Sequence, residues 1–183
     1  MTEKVEKLPR KDWTGSFVFP EEWVNRTILA SKLIDPSWDV VEFGAGSANL
    51  KKFLKHSQRY LPTDLVQRDP SFQIVNLDET LKLGSNFDVG VAMGVLEYVS
   101  EVEFTLNEIA RNLPNFVTTY CAAKSRLRKF ILIRRFIGWK NHYTKKEFED
   151  IVHQAGYKIL TQNKLEDRFL YSQHIYKLQK SNV

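Results

Sequence analysis

The stretch WDVVEFGAGSANLKKFLK, Trp38 to Lys55, decides how the rest of the chain is read. A short apolar run stops at an acid, Glu42, crosses Gly44 and Gly46, and passes into a basic segment with helical spacing. Glycines let a backbone turn sharply and approach a ligand closely, and a helix starting near Ser47 would add exposed N–H groups. Alone, the turn leaves two readings open. It is either an ordinary strand-to-helix connection or a cradle for a nucleotide-like cofactor.

Outward from the turn the chain alternates. Short apolar runs, VVEF, RYLPT, FQIV, FDVGVAM and NFVTTYC, read as strands, and the segments 47–56 and 100–112 between them read as helices. In SEVEFTLNEIARNL, residues Val102, Leu106, Ile109, Ala110 and Leu113 recur at amphipathic-helix spacing. An earlier helix is expected in PEEWVNRTILASKLI, with Pro20 and two acids at its front and Asp35-Pro36 at its end. A last helix follows Thr144, an N-cap with Glu147 in the capping-box position, and closes at Gly156. YKILTQNKL and FLYSQHIYKLQ, joined by EDR, then form an antiparallel hairpin at the sheet's edge. This pattern predicts an α/β fold, a mostly parallel sheet covered by helices.

With 183 residues, 43% hydrophobic and 27% charged, the chain fits one soluble domain, expected over 13–183 after a charged, mobile segment at 1–12. The single cysteine, Cys121, excludes an internal disulfide framework and suits a reducing cytosol. The start MTEKVEKLPRKD lacks the apolar core of a secretory signal, and no apolar run approaches the ~20 residues that span a bilayer. A cytoplasmic protein is expected.

Three strand ends then join the glycine turn. Asp64, 20 residues past Gly44, ends the second strand, where a carboxylate can accept both hydroxyls of a ribose. Asn76 and Leu77 end the third, and FDVGVAMGVLEYV forms the fourth. All would open on one carboxyl edge of the sheet, where ligands bind in such folds. A dinucleotide fingerprint would need a third glycine at Asn49, which is absent. Tyr120 and Lys124 match a Tyr-x-x-x-Lys spacing used by short-chain dehydrogenases, but they fall on the fifth strand run and share no helical face.

In series, VVEFGAGSANL, YLPTDL, IVNLDE and FDVGVAMGVLEYVSEVEFTLNEIARNL resemble the class I, Rossmann-like S-adenosylmethionine-dependent methyltransferases, closely over about 40–113 and more loosely beyond. The resemblance implies a doubly wound seven-stranded sheet whose final strand runs antiparallel. It implies S-adenosyl-L-methionine as cofactor, with Glu42, Gly44, Ala45 and Gly46 lining its methionine and ribose part. Asp64 would hold the ribose hydroxyls, Asn76 and Leu77 would address the adenine, and Met93 would pack near it. The sequence departs from the family pattern at Ala48, where a third glycine is usual, at Asn76, where Asp is common, and at Tyr98, where many relatives carry His.

For the acceptor side the reading is thinner. Such a reaction mainly needs the acceptor held in line with the methyl group, with or without a base. His142, Tyr143 and Tyr98 are candidates for a catalytic role, and His56 lies on the first helix after the turn. From Lys124 to Lys146 there are nine Lys and Arg residues and no acid, within which about 122–143 reads as a basic acceptor-side insertion. It is either a core-packed helix whose cations reach water or a lid that draws in a small anionic acceptor, a metabolite or glycan precursor, through Arg126, Arg134, Arg135 and His142. Peripheral contact with anionic lipid is a lesser variant. A net charge of +5 and the lack of an Asn/Asp-Pro-Pro-aromatic motif after strand four argue against nucleic acid. No metal site is expected. The competing readings are a non-catalytic partner protein of the same fold and an NAD-dependent oxidoreductase.

Overall fold

The computed structural model of the protein describes residues 21–56, 58–124 and 128–181. The expectations for residues 1–12, Pro20 and Arg126 lie outside these described residues. Seven strands make one sheet: β1 Val40–Phe43, β2 Tyr60–Asp64, β3 Gln73–Ile74, β4 Val89–Ala92, β5 Asn115–Ala123, β6 Tyr157–Asp167 and β7 Tyr171–Lys180. Their order is β3-β2-β1-β4-β5-β7-β6. β1 to β5 pair in parallel, and β7 runs antiparallel to both β5 and β6. This is the mostly parallel sheet with a reversed last strand that the resemblance implied. From β1 the chain winds one way to β3, and from β4 it winds the other way. The carboxyl ends of β1 and β4 therefore flank the crevice where open α/β sheets bind ligands.

The apolar runs become strands because both faces are covered. β1 and β4 are buried along their whole length, as fits central strands between two helical layers. Alternation along β1 divides the core: Val41 and Phe43 pack with α2 (Val102–Asn112) and α4 (Lys145–Gln154), and Val40 packs with Ala30 of α1 (Glu21–Ser31) and with Ile34 just beyond it. α2 buries Val102, Leu106, Ile109 and Ala110, the stripe read from the sequence. At α4 the Thr144 side chain accepts from the Glu147 N–H while Glu147 accepts from the Thr144 N–H, a full capping box. Gly156 follows the helix with φ +83°, a left-handed residue that suits glycine.

Two elements differ from expectation. The segment 47–56 is not an α-helix but a single 3-10 turn, Asn49–Phe53, that buries only Leu50. No apolar residue stands between Leu54 and Tyr60 to dock a second turn on the sheet. The hairpin reverses at Arg168–Leu170, two residues later than read, where the Arg168 N–H meets the Tyr171 carbonyl at 2.9 Å. Among the described residues no helix is long and apolar enough to cross a membrane.

Candidate active site

The turn after β1 is held open by backbone conformation. Gly44 and Gly46 are left-handed at φ +62° and +57°, and Ala48 follows at φ +52°. The position where the sequence departs from a third glycine thus keeps the geometry glycine would favour. Ala48→Gly is expected to stabilise the fold by about 1 kcal/mol, read as a higher denaturation midpoint with an unchanged slope. A side chain at Gly44 would collide with the loop after β4, because its Cβ would stand 2.6 Å from Val95 Cγ2.

The end of β2 is stitched onto this turn. The Ala45 N–H donates to the Thr63 carbonyl at 2.9 Å, and the Thr63 hydroxyl donates to the Glu42 carbonyl at 2.9 Å. Asp64 Oδ2 accepts from the Gly46 N–H at 3.1 Å and from Arg68 Nε at 2.9 Å, while Oδ1 accepts from the Leu65 N–H at 2.7 Å. The carboxylate is thereby fixed beside the cradle.

Glu42 lies under the turn, buried, with the Tyr60 hydroxyl donating to Oε2. Burial pushes its carboxyl up to about 8, against the pull of that hydrogen bond and of the Arg26 charge. Arg26, on α1, was not singled out in the sequence, although it stands four residues before the buried Ala30 on the same helix face. Its Nη2 donates to the Met93 carbonyl at 3.0 Å, and its guanidinium covers Gly94, whose Cβ would stand 2.8 Å from Nη1. Arg26, Glu42, Gly44, Ala45 and Met93 line a small cavity of about 40 Å³.

At the third strand end, Asn76 is engaged in its own turn. Its amide donates to Glu79 Oε1 at 2.7 Å and its side-chain oxygen accepts from the Asp78 N–H at 3.1 Å. The Leu77 side chain is buried in the core, and its carbonyl accepts from the Thr105 hydroxyl at 3.0 Å. Leu77 therefore offers backbone rather than side chain to a ligand edge.

A second cavity, of about 350 Å³, opens on the other side of Arg26 beyond Gly94. Glu97, Tyr98, Cys121, Trp139 and Tyr171 line it. The Tyr98 hydroxyl accepts the Trp139 indole N–H, and burial pushes Tyr98 up to about 12. Burial and the nearby Glu97 push the Cys121 thiol up as well.

The basic insertion is placed differently from its expected role. α3 (Arg128–Phe136) turns Leu132, Ile133 and Phe136 outward and buries Arg134. The reason is local: Arg134 lies 4.4 Å from the Trp139 ring centre and its Nη2 donates to the Cys121 carbonyl at 2.8 Å. Arg134 buttresses the cavity wall from behind instead of facing an acceptor, and Arg135 is exposed away from the lining. His142 is also outside the lining, with Nδ1 accepting from Arg134 Nε at 3.3 Å. The Tyr143 side chain packs against the main core, and its N–H donates to the Tyr120 hydroxyl at 3.1 Å. His56 is exposed and lines neither cavity. Lys124, Lys140, Lys145 and Lys146 pair with Asp167, Asp78, Glu149 and Asp150. Of the candidate catalytic side chains, Tyr98 alone reaches the larger cavity. Glu97, Trp139 and Tyr171 were missed; for Glu97 the signal was an acid inside the apolar run GVLEYV.

A family model described as a methyltransferase domain matches residues 16–162, most of the chain. The chain belongs to the methyltransferase family. Solved structures share the fold of this methyltransferase at low identity. The cyclase SpnF is 13% identical with a TM-score of 0.69, covering 86% of this chain and 80% of that one. A putative methyltransferase complexed with the Trm112 methyltransferase activator of Haloferax volcanii is 13% identical with a TM-score of 0.68, covering 88% and 90%. Magnesium protoporphyrin IX methyltransferase from Synechocystis, with bound SAH, is 16% identical with a TM-score of 0.64, covering 92% and 91%. No curated protein sequence matches the methyltransferase significantly. Its neighbours in fold carry unlike descriptions, so the acceptor must be read from its own cavity.

Proposed function

We propose that the protein transfers the methyl group of S-adenosylmethionine to a small acceptor held in the larger cavity. One observation carries this reading: two adjoining cavities, one at the glycine cradle and one beyond Gly94, share a single dividing side chain, Arg26. S-adenosylmethionine is the cofactor and supplies an electrophilic methyl on a sulfonium. Glu42, Gly44, Ala45 and Gly46 line its methionine and ribose part, in keeping with the left-handed glycines of the turn and the small cavity beside it. Asp64 accepts the ribose hydroxyls, which must displace Arg68 from Oδ2, where two donors already meet. Asn76 and the Leu77 backbone stand at the adenine edge, and Met93 packs beside it. The chain's remaining work is to hold the acceptor in line and to exclude water.

A cavity of about 350 Å³ suits a single small molecule better than a polymer. The same reading puts the enzyme in the cytoplasm, in keeping with one unpaired cysteine, Cys121. Calorimetric titration with S-adenosylhomocysteine, with NAD in parallel, tests the proposal. Micromolar binding of the first alone is the expected result. A folded sample that binds neither would overturn it and favour a non-catalytic partner protein, and preferential NAD binding would favour an oxidoreductase.

A further inference from the structure

The larger cavity contains one acid whose hydrogen-bonding capacity is half used. Glu97, in the turn after β4, is 1% exposed. One carboxylate oxygen, Oε1, accepts from the Cys121 N–H at 2.7 Å. The other, Oε2, is also buried and meets no N–H or O–H donor among the described residues, the weak Cys121 thiol being the side-chain donor beside the carboxylate. Buried acceptors are nearly always met, so an unmet one on a residue that lines a cavity points to a donor supplied from outside.

Several other polar groups of the lining, which also includes Asn25, already have partners. Glu166 is engaged by Arg168 and by the Tyr171 hydroxyl, the latter at 3.1 Å. Gln173 donates to Cys121 Sγ at 3.5 Å. The Trp139 indole N–H is spent on Tyr98, and Arg26 donates to the Met93 carbonyl. Beside them stand aromatic rings. The Trp139 and Tyr171 rings meet edge-on at 5.2 Å and 74°, and Arg134 stacks on Trp139 and fixes it. Such rings favour a flat partner.

We propose that this cavity takes a flat aromatic or heteroaromatic acceptor that presents a hydroxyl or ring N–H to Glu97 Oε2 against the Trp139–Tyr171 wall. The assignment rests on the methyl-transfer reading for the word acceptor, and it replaces the anionic class expected from the basic insertion. A carboxylate or phosphate turned toward Glu97 would meet like charge, while Lys124 and Lys140 of the insertion are paired with acids. It also makes Glu97 a substrate-contacting residue.

Paired probes test this on the full chain, with and without S-adenosylhomocysteine, by following the Trp139 indole N–H resonance. Phenol and indole are compared with anisole and 1-methylindole, which lack the donor, and with benzoate. The donor-bearing probe of each pair is expected to bind about tenfold tighter, the worth of one charge-assisted hydrogen bond. Benzoate is expected to be weaker than phenol. In Glu97→Gln the amide oxygen keeps the Cys121 N–H and the amide nitrogen replaces the open acceptor, so the donor preference should vanish. Benzoate binding tighter than phenol, equal binding within each pair, or a preference that survives Glu97→Gln would each overturn the assignment, and the first two need no variant. S-adenosylhomocysteine binding without donor preference overturns the acceptor class alone. Donor preference without S-adenosylhomocysteine binding overturns the methyl-transfer reading and, with it, the cavity's role as an acceptor site.

Discussion

Replacing Asp64 with alanine is expected to weaken S-adenosylhomocysteine binding about 100-fold while leaving the fold intact. Two hydrogen bonds from ribose hydroxyls to one carboxylate contribute on the order of 3 kcal/mol together, which is about two decades in affinity. The loss should be specific because Asp64 is a half-buried residue at a strand end, and its partners can turn to water. Those partners are the Gly46 and Leu65 N–H groups and Arg68. Calorimetry gives the affinity, and thermal unfolding within a few degrees of the parent shows that the fold survives. Unchanged affinity would remove Asp64 from the cofactor site and leave its contact with the glycine turn as a structural one.

The second large effect concerns stability and pH. Glu42 carries its proton up to about pH 8 in the folded protein, against an ordinary value of 4.5. Between those values the folded state holds a proton that the unfolded chain has released, so stability falls as pH rises through this window. At about 1.4 kcal/mol per pH unit within it, Glu42→Gln should be about 3 kcal/mol more stable than the parent at pH 7. Near pH 4 the two should be about equal, because a protonated carboxyl and an amide are close in shape and the amide oxygen can still accept from Tyr60. Denaturant unfolding at both pH values checks this. A parent whose stability is flat from pH 5 to 8 would show that Glu42 ionises normally in the fold.

The residues proposed to hold the cofactor could be grouped from the sequence because they stand at strand ends. A run of buried β-residues has a fixed direction, so the residues that follow VVEF and RYLPT must emerge on one edge once the sheet is parallel. Glycine spacing then marks the turn. The larger cavity was not legible. Its wall combines the turn after β4, the segment after α3 and the hairpin, which lie far apart in the chain, and no local period announces that Glu97, Trp139 and Tyr171 meet. Charge counting misled for a physical reason. An arginine can be buried when a ring and a carbonyl receive its guanidinium, as Trp139 and Cys121 receive Arg134, so a basic run does not identify a basic surface. The short turn at Asn49–Phe53 shows the converse: helical spacing over one turn does not make a helix when the next turn has nothing apolar to dock.

The strands differ greatly in length, and this separates two kinds of evolutionary freedom. β1 and β4 are four residues each, whereas β6 and β7 run to eleven and ten and carry Leu165, Glu166, Tyr171 and Gln173 to the rim of the larger cavity. Substitutions at that outlying tip leave the pairing of β1 with β2 and β4 untouched, so the rim of the larger cavity can change in shape and charge without disturbing the glycine turn.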